Sequence, residues 1–358
     1  MHTHLTRAWV EIDLGALLRN GAAMAARGAP LIPMIKADAY GLGAVPVARA
    51  LEALDPWGFG VATVDEGRAL RAAGINRPVI VFTPVHGAEL AELRGARLTP
   101  CLGRVEDIAD WRAAGGGPWH LAIDTGMSRS GAPWREIAAI APAAAVLPPE
   151  GAFTHLHSAE RADGATETQE ERFTQAVGAL AARPRFLHVE NSAALARRER
   201  SRWDLARPGI FLYGAGRAEG ERVRAEPVVS VRARIVALRT LAAGDTVSYD
   251  AEYRAAGERR IATAAIGYAD GYRRAFTGTG AALVHGRRVN VAGVVTMDMT
   301  MLDVTGVDCA IGDVATFIGR DGAESITVDD AAATASLSPY ELLTGFGARM
   351  EHTYREGA

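Results

Sequence analysis

Short apolar runs alternate with alanine-, leucine- and arginine-rich stretches over the first two-thirds of the chain. Glycine, proline or charged residues bound these runs, which is typical of buried strands, and most of the stretches between them are long enough for a helix. Strands that alternate with helices predict βαβ units and a parallel sheet. Eight such runs favour a closed (β/α)₈ barrel over an open doubly wound sheet. The predicted strands are 31–36, 57–63, 78–83, 97–102, 119–124, 151–156, 185–190 and 208–213, and the predicted helices include 44–54, 65–73 and 167–182.

The hydropathy pattern changes near residue 223. From there, short β-branched runs are separated by glycine and aspartate turns and show little helical period, which predicts an all-β domain. The predicted organisation is an α/β fold with a (β/α)₈ barrel over 8–222 and a C-terminal β domain over 223–358. Residues 1–10 are a candidate additional part of the β domain.

Charge and composition narrow the possible functions of the chain. Its 358 residues carry a formal net charge of -3 with both signs mixed, so it has no basic footprint for nucleic acid or a membrane surface. No apolar stretch is long enough to span a bilayer, and the first residues lack the apolar segment of a signal peptide. The two cysteines, Cys101 and Cys309, are far apart and are expected to be buried and reduced. We therefore expect a cytoplasmic protein without a metal site.

Lysine occurs once, at Lys36, although lysine and arginine together number 39. A guanidinium keeps its proton near neutral pH and is a poor nucleophile, whereas an amine can lose its proton and attack a carbonyl. Lys36 ends the first apolar run, in LIPMIKADAYGLG, where a Schiff-base lysine can be placed. The alternative is that the lone lysine is an accident of an arginine-rich composition, with its side chain in solvent.

Polar side chains recur where the predicted strands end, which is the edge at which a barrel gathers its functional groups. An amine, two arginines and several hydroxyl and amide groups suit an anionic aromatic aldehyde, namely pyridoxal phosphate. Taken alone, each residue also has a structural interpretation. The histidines can be satisfied within the core, the aspartate and asparagine can cap turns or helices, and an arginine can be a surface charge. The residues concerned are Lys36, Tyr40, Asp124, Arg129, His155, His157, His188, Asn191, Ser192 and Arg207.

Six segments, in this order and spacing, resemble the alanine racemase family of fold-type III pyridoxal phosphate enzymes. The resemblance runs from about residue 8 to residue 349. It implies an isomerase that interconverts L- and D-alanine for peptidoglycan, with pyridoxal 5'-phosphate as cofactor. It also implies a homodimer whose active sites are shared between subunits. The segments are MIKADAYGLG, IDTGMSRSG, HVENSAA, RPGIFLYG, IGYADGYRR and TMDMTML.

The resemblance also implies roles for individual residues. Lys36 would bind the cofactor as a Schiff base and act as one of two acid/base groups at the substrate α-carbon. Tyr268 of the partner subunit would act on the opposite face, and Arg207 would bond the pyridine nitrogen. The remaining cofactor residues would be Tyr40, His155, Asn191, Ser192, Gly209 and Ile210, with His188 around Arg207, and the substrate would be positioned by Arg129, Met297 and Asp298.

The chain departs from the family pattern at three places. The segment that leads to Met297 and Asp298 reads VVTMD, where members often have an arginine and a cysteine. Ala122 stands where many members have a carbamylated lysine that orients the arginine, so Arg129 must be oriented by something else. Near the C-terminus there is no clear match to a tyrosine that helps to hold the phosphate, and Tyr354 lies farther along than expected.

Three alternatives remain at this point. One is a racemase of the same fold with a broader range that includes serine. Another is a non-catalytic pyridoxal phosphate carrier, although such a protein needs no second base and no GYADGY segment. The third is a decarboxylase on the same scaffold, although an acid would be expected there in place of Arg207.

Overall fold

The computed structural model describes residues 6–347 and 349–356, and the chain divides into two compact units. The barrel unit holds residues 18–212 and 216–225, and the β unit holds residues up to 17, residues 213–215 and the chain from 226 onward. The helices are α1 (Leu14–Ala25), α2 (Lys36–Gly41), α3 (Ala44–Leu51), α4 (Val64–Ala72), α5 (Ala88–Gly95), α6 (Val105–Ala113), α7 (Ile137–Val146), α8 (Ala165–Gly178), α9 (Ser192–Arg197), α10 (Val328–Thr334) and α11 (Pro339–Gly345).

The longest strands of the chain, β9 with 13 residues and β16 with 8, belong to the β unit. Those of the barrel unit are β2 (Phe59–Val61), β3 (Val79–Val81), β4 (Thr99–Leu102), β5 (His120–Asp124), β6 (Ala132–Pro133), β7 (Gly151–Phe153) and β8 (Phe186–His188). Those of the β unit are β1 (Ala8–Asp13), β9 (Val229–Leu241), β10 (Thr246–Val247), β11 (Tyr253–Arg254), β12 (Arg259–Ala264), β13 (Ala281–Val284), β14 (Arg287–Val291), β15 (Thr300–Asp303), β16 (Val314–Asp321), β17 (Glu324–Ile326) and β18 (Glu351–Arg355).

The barrel unit is built on a parallel sheet in the order β2-β3-β4-β5-β7-β8, with β6 paired to β5 outside this path. Single parallel bridges continue from β8 back to β2. They join Asn191 to Arg207, Leu31 to Ala206, and Met34 to Gly60. The six strands on this path and the two bridged segments, around residues 31–34 and 206–207, make eight parallel segments in this order. The predicted TIM-like barrel class is therefore confirmed.

The first and last predicted strands, 31–36 and 208–213, are wrong as regular strands. The first is a segment with isolated bridges at Leu31 and Met34, and the second is a 3₁₀ turn over Ile210–Tyr213. A proline lies in each predicted strand, Pro33 in the first and Pro208 in the second. Proline has no N–H to donate to a ladder, so each segment makes only part of a strand's hydrogen bonds.

Side chains from these segments pack inside the barrel unit. Ile32, Ile80, Cys101, Ala122, Phe153 and Leu205 form one buried cluster. Both cysteines of the chain are buried and free, as expected from the sequence. Burial raises the pKa of the Cys101 thiol, so this side chain behaves as a small hydrophobic group.

The β unit closes on itself through antiparallel pairs. Its main sheet runs β17-β16-β13-β14-β15-β12-β9-β1-β18, and an additional pairing of β16 with β9 joins the sheet into a barrel. β1 is antiparallel to β9 and parallel to β18, so Ala8–Asp13 belongs to this sheet and not to the parallel one. The predicted all-β character of the C-terminal part is confirmed, and the described helices include none that is both long and apolar enough to cross a membrane.

Candidate active site

Lys36 begins α2, which is a left-handed turn and not a regular right-handed helix. The four residues after it, Ala37, Asp38, Ala39 and Tyr40, have φ values of 51, 53, 54 and 58°. A left-handed conformation brings the Cβ of a non-glycine residue close to its own backbone and costs roughly 1–2 kcal/mol per residue. Several such residues in succession persist only where the surrounding structure holds them, and they cluster at functional sites.

Two carboxylates hold this turn. Oε1 of Glu66 accepts a hydrogen bond from the amide of Ala37 at 2.8 Å, while its Oε2 accepts from the amide of Ala62 at 2.7 Å. Oδ1 of Asp38 accepts from the amide of Ala44 at 2.6 Å, which fixes the exit of the turn to the start of α3. Glu66 thus connects the residue after Lys36 with the end of β2.

The surroundings of Lys36 favour a free amine. Burial, followed by the positive charge of Arg129, lowers the pKa of Lys36 from its ordinary value of 10.5, and the carboxylate of Glu66 opposes this shift. A lowered pKa leaves more of the unprotonated amine near neutral pH, which is the form that attacks an aldehyde or accepts a proton. The interpretation of Lys36 as an accidental solvent-exposed lysine is therefore not supported.

Arg207 lies inside the barrel unit and is only 4 % exposed. Its Nη1 contacts Nδ1 of His188 at 2.8 Å and donates to the carbonyl of His188 at 2.5 Å. Its Nη2 donates to the carbonyls of Thr154 and Val189 at 2.7 and 3.1 Å. These contacts use the four Nη–H groups. Within the described part of the chain, Nε–H is the one donor of this guanidinium without a hydrogen bond, so it is the donor left for a ligand.

The charge on Arg207 persists despite its burial. Burial lowers the pKa of Arg207 to about 10, which still leaves the guanidinium protonated at neutral pH. The same burial, with the charges of Arg207, Arg129 and Lys36, lowers the pKa of His155 to about 3. Three cations and a neutral imidazole are therefore close enough to influence one another, as the sequence predicted for the strand ends.

A second group of predicted residues forms a small polar cradle. Oγ of Ser192 accepts hydrogen bonds from the amides of Gly209 and Phe211 at 2.8 and 3.3 Å. A side chain at position 209 would collide with the hydroxyl of Tyr40, so glycine is required there. Ile210 begins the 3₁₀ turn beside it. Backbone amides and two hydroxyls in one place are suited to a phosphate group.

Some of the residues predicted for the site instead cap a helix or a turn, which was the structural interpretation open to them. Oδ1 of Asn191 accepts from the amide of Ala194 at 3.0 Å and caps α9. Oδ1 of Asp124 accepts from the amides of Gly126 and Ser128, which fixes the turn before Arg129. His157 is exposed and its ring contacts the hydroxyl of Ser158.

Arg129 itself is exposed, and within residues 6–347 and 349–356 its guanidinium has no hydrogen-bond partner. Ala122, at the position of the family's modified lysine, is 9 % exposed and packs in the aliphatic cluster of the barrel unit. An alanine there provides no anion to orient Arg129. Tyr354 lies in β18 of the β unit, opposite Ile12 of β1.

The remaining predicted residues lie together in the β unit. The amide of Tyr268 donates to the carbonyl of Thr296 at 3.0 Å, and the next amide along the chain donates to the carbonyl of Met297 at 3.0 Å. The side chains of Tyr268 and Met297 are 39 % and 53 % exposed, which leaves them available to a ligand or a partner. Asp298 is fixed by Arg349, whose Nη2 donates to its carboxylate at 2.5 Å.

Two buried or bridging residues were not anticipated from the sequence. Glu66 could have been found, because Thr63 and Glu66 form the T-x-x-E pattern of a capping box, and the structure contains that box at the start of α4. His120 gave no such signal. It lies at the beginning of β5, whereas barrel sites were expected at the ends of strands, yet its Nδ1 is 2.8 Å from Nε2 of His188.

The residues present fit a phosphorylated pyridine aldehyde. The amine of Lys36 suits the aldehyde, the Nε–H of Arg207 suits a ring nitrogen that accepts a hydrogen bond, and the cradle of Ser192, Tyr40 and Gly209 suits the phosphate. Arg207 and Ser192 make their other hydrogen bonds within the barrel unit, so the fold itself orients these two side chains.

Comparisons with known proteins agree with this site. The N-terminal domain of alanine racemase matches residues 12–217, and the C-terminal domain of alanine racemase matches residues 228–354. The alanine racemase of Citrifermentans bemidjiense is 38% identical over 368 residues, covering 95% of this chain and 96% of that protein.

Two solved structures are similar over nearly the whole chain. The alanine racemase of Bacillus anthracis with bound L-Ala-P has a TM-score of 0.90 at 28% identity, covering 98% of this chain and 95% of that one. The alanine racemase of Bartonella henselae with covalently bound pyridoxal phosphate has a TM-score of 0.89 at 25% identity, covering 98% and 99%.

The hydrogen bonds of Glu66 predict a measurable loss of stability on its removal. Glu66→Ala leaves the amides of Ala37 and Ala62 without their acceptor, and we expect the free energy of unfolding in urea to fall by about 2 kcal/mol. Glu92→Ala is the matched control, because among the described residues the Glu92 side chain makes only an exposed ion pair with Arg68, and its loss should change stability by less than about 0.5 kcal/mol. Equal unfolding curves for the two variants would show that Glu66 does not hold the turn.

The lowered pKa of Lys36 can be measured directly because the chain has one lysine. Reductive ¹³C-methylation should give one lysine signal, whose titration midpoint lies below 10.5 in the folded protein and returns to the ordinary value in denaturant. Between the two midpoints the unfolded chain binds more protons, so stability should rise with pH there. Arg129→Met, which removes the nearby charge, should raise the folded-state midpoint. A folded midpoint at or above 10.5 would contradict the assignment.

Proposed function

This chain belongs to the alanine racemase family, and from that premise we propose that it binds pyridoxal phosphate through Lys36 and racemises alanine with two bases. The enzyme is an isomerase that interconverts L- and D-alanine. The observation that best supports the residue assignment is the chain's single lysine, which lies at the head of a clamped left-handed turn and has a lowered pKa. We further propose that the D-alanine supplies peptidoglycan and that the active protein is a homodimer in the cytoplasm.

Pyridoxal phosphate, when bound, supplies an electron-withdrawing ring that acidifies the α-hydrogen of an amino acid attached to it. The residues proposed to hold it are Lys36 at the aldehyde, Arg207 at the ring nitrogen, and Tyr40, Ser192 and the backbone of Gly209 and Ile210 at the phosphate. His155 is proposed to lie beside the ring, and Asn191 to support the phosphate cradle through the cap of α9.

Racemisation removes the α-proton from one face of the substrate and returns a proton to the other. We assign Nζ of Lys36 to one face and Oη of Tyr268 of the partner subunit to the opposite face. An amine and a phenol both have ordinary pKa values near about 10, so each needs its surroundings to work near neutral pH. Burial and Arg129 provide this for Lys36 by lowering its pKa.

Arg207 is proposed to control the outcome of the reaction. A guanidinium donates a hydrogen bond to a ring nitrogen without giving up its proton, whereas a carboxylic acid at that position would protonate the ring. An unprotonated ring would withdraw less negative charge from the α-carbon, so that Lys36 or Tyr268 of the partner subunit would return the proton to that carbon. Amino transfer needs the proton to be delivered to an atom other than the α-carbon, so that side reaction is disfavoured.

The substrate carboxylate is assigned to Arg129, whose exposed guanidinium lies in the electrostatic range of Lys36 and His155. Met297 and Asp298 of the partner subunit are proposed to approach from the side of the phenol, since their backbone is tied to the segment that carries it. A cation that binds the carboxylate sets which face of the α-carbon each base reaches.

The substrate assignment predicts the products of a simple incubation. L-Alanine and L-serine are incubated with the pyridoxal phosphate-loaded protein and resolved by chiral chromatography, and D-alanine should form at least about tenfold faster than D-serine, since a hydroxyl must be accommodated in a pocket that fits a methyl group. Lys36→Ala should form neither product and should lose the absorbance of the lysine-bound cofactor. Comparable D-serine would indicate a racemase of broader range. No D-product from a protein with cofactor bound would contradict the assignment.

The shared-site proposal predicts complementation between two inactive variants. Lys36→Ala and Tyr268→Phe are unfolded together and refolded as a mixture, so that half of the dimers contain one of each. If each site takes Lys36 from one subunit and Tyr268 from the other, every mixed dimer has one intact site, and about a quarter of the wild-type activity should return.

The matched control mixes Lys36→Ala with Arg129→Ala. Both substitutions lie in the barrel unit, so a mixed dimer has no intact site and should stay inactive. If the Lys36→Ala and Tyr268→Phe mixture stays inactive while its subunits still associate, the phenol does not come from the partner.

A further inference from the structure

A row of buried polar side chains continues from Arg207 across the interior of the barrel unit. Nη1 of Arg207 is 2.8 Å from Nδ1 of His188, and Nε2 of His188 is 2.8 Å from Nδ1 of His120. Nε2 of His120 then lies 3.9 Å from Oε2 of Glu150. Both histidines are 0 % exposed, whereas the Glu150 side chain is 30 % exposed. The row therefore runs from the buried guanidinium to a carboxylate at the opposite end of the strands.

The direction of every hydrogen bond in this row follows from Arg207. A guanidinium can only donate, so Nδ1 of His188 must accept and its proton must be on Nε2. That N–H then donates to Nδ1 of His120, which places the proton of His120 on Nε2. Nε2 of His120 is buried and has no hydrogen-bond partner within the described residues, and Glu150 is the carboxylate that faces it.

Both imidazoles are neutral in this arrangement. Burial, followed by the charge of Arg207, lowers the pKa of His120 to about 3, and the same causes lower the pKa of His188 well below its ordinary value. A second proton on either ring would put two donors face to face, at Arg207 or between the rings. The neutral tautomer with its proton on Nε2 is therefore the one compatible with these contacts for both His188 and His120.

The neighbouring strand leaves room for the His120 ring. Gly151 of β7 lies beside His120 in the parallel register, and a Cβ at position 151 would come within 2.5 Å of Nδ1 and Cε1 of the ring. Any side chain there would displace the imidazole from His188. Trp57 covers the ring at a centroid distance of 5.7 Å. Backbone and side chains thus hold His120 in one position.

We propose that His120 is a positioning residue for Arg207: its Nδ1 accepts from the Nε2–H of His188 and holds the His188 ring in the orientation in which Nδ1 faces Arg207, which in turn fixes the guanidinium that faces the cofactor ring. Glu150 faces the Nε2–H of His120 at the other end of the row. This inference rests on the proposed function, because it gives Arg207 its place at the ring nitrogen. His120 touches neither substrate nor cofactor in this role. Without its acceptor, the Nε2–H of His188 would be a buried donor with no partner, and the ring would gain freedom to turn away from Arg207.

The test compares His120→Phe with His120→Asn. Phenylalanine fills the space but has no acceptor, whereas the amide oxygen of asparagine can replace Nδ1. Long-range ¹H–¹⁵N correlation spectra of the cofactor-free protein report each histidine tautomer, and His188 is assigned by the loss of its signals in His188→Gln. We expect a single Nε2–H tautomer for His188 in the wild type and in His120→Asn, and loss of that signal in His120→Phe.

Cofactor binding provides a second measurement. The Kd for pyridoxal phosphate should rise about tenfold in His120→Phe, as expected for one lost buried hydrogen bond, and less than about threefold in His120→Asn. Glu150→Gln removes the charge that faces His120 without disturbing the core, and it should leave the His188 tautomer unchanged, because Arg207 sets that tautomer. Should His120→Phe fail to fold, Gly151→Ala displaces the same ring without removing a polar group and should give the same spectral loss.

The outcomes separate this inference from the proposed function. An unchanged His188 spectrum and unchanged Kd in His120→Phe would overturn the positioning role, whatever the enzyme's activity. A wild-type spectrum with the Nδ1–H tautomer of His188 would also overturn it. If the spectra change as expected but the wild-type protein forms no D-alanine, the proposed function fails and the hydrogen-bonded row stands.

Discussion

The burial of the Arg207 guanidinium is the constraint on which the rest of the site depends. A permanent charge inside a barrel is tolerated when most of its donors are satisfied, and Arg207 satisfies four of its five with three backbone carbonyls and one imidazole nitrogen. None of these acceptors carries a charge, and the nearby carboxylate of Glu190 is instead bonded to Arg198 and Ser201. The charge of Arg207 is therefore held in place without being neutralised, and it remains available to a ligand. The same charge keeps His155, His188 and His120 neutral, because each pKa is lowered by burial and by Arg207.

Lys36 depends on a second local constraint. A run of four left-handed residues is costly, yet it turns the chain sharply where the first barrel segment ends, and it brings the amide of Ala37 onto Glu66. The carboxylate that clamps the turn also raises the pKa of Lys36, while burial and Arg129 lower it, and the lowering prevails. The amine is thus placed and tuned by the same contacts. Strain that is compensated by a few charged hydrogen bonds is typical of residues whose position is needed for chemistry.

The sequence predicted the parallel barrel, the C-terminal β unit and the residues that carry most of the proposed chemistry. The fold could be predicted because apolar periodicity reports burial directly, and Lys36 could be singled out because it is alone in composition. The roles of Tyr268, Met297 and Asp298 came only from the family resemblance. The sequence could not predict that the segments around Pro33 and Pro208 would close the barrel through single bridges, since their apolar pattern is that of a strand. It also could not find His120, because a histidine at the start of a strand has the same pattern as any buried polar residue. Asn191 is a different case. An asparagine at this position suits either a cofactor site or a helix cap, and its hydrogen bond from the amide of Ala194 shows that it caps α9.

The central claim is that Arg207 donates to the cofactor's ring nitrogen and leaves that nitrogen unprotonated. The most direct measurement is the ¹⁵N chemical shift of pyridoxal phosphate labelled at the ring nitrogen and bound to the protein at neutral pH. The account predicts the shift of an unprotonated pyridine that accepts a hydrogen bond. The shift of a protonated pyridinium would contradict it, because a guanidinium with a pKa of about 10 and neutral neighbours has no reason to yield its proton to the ring.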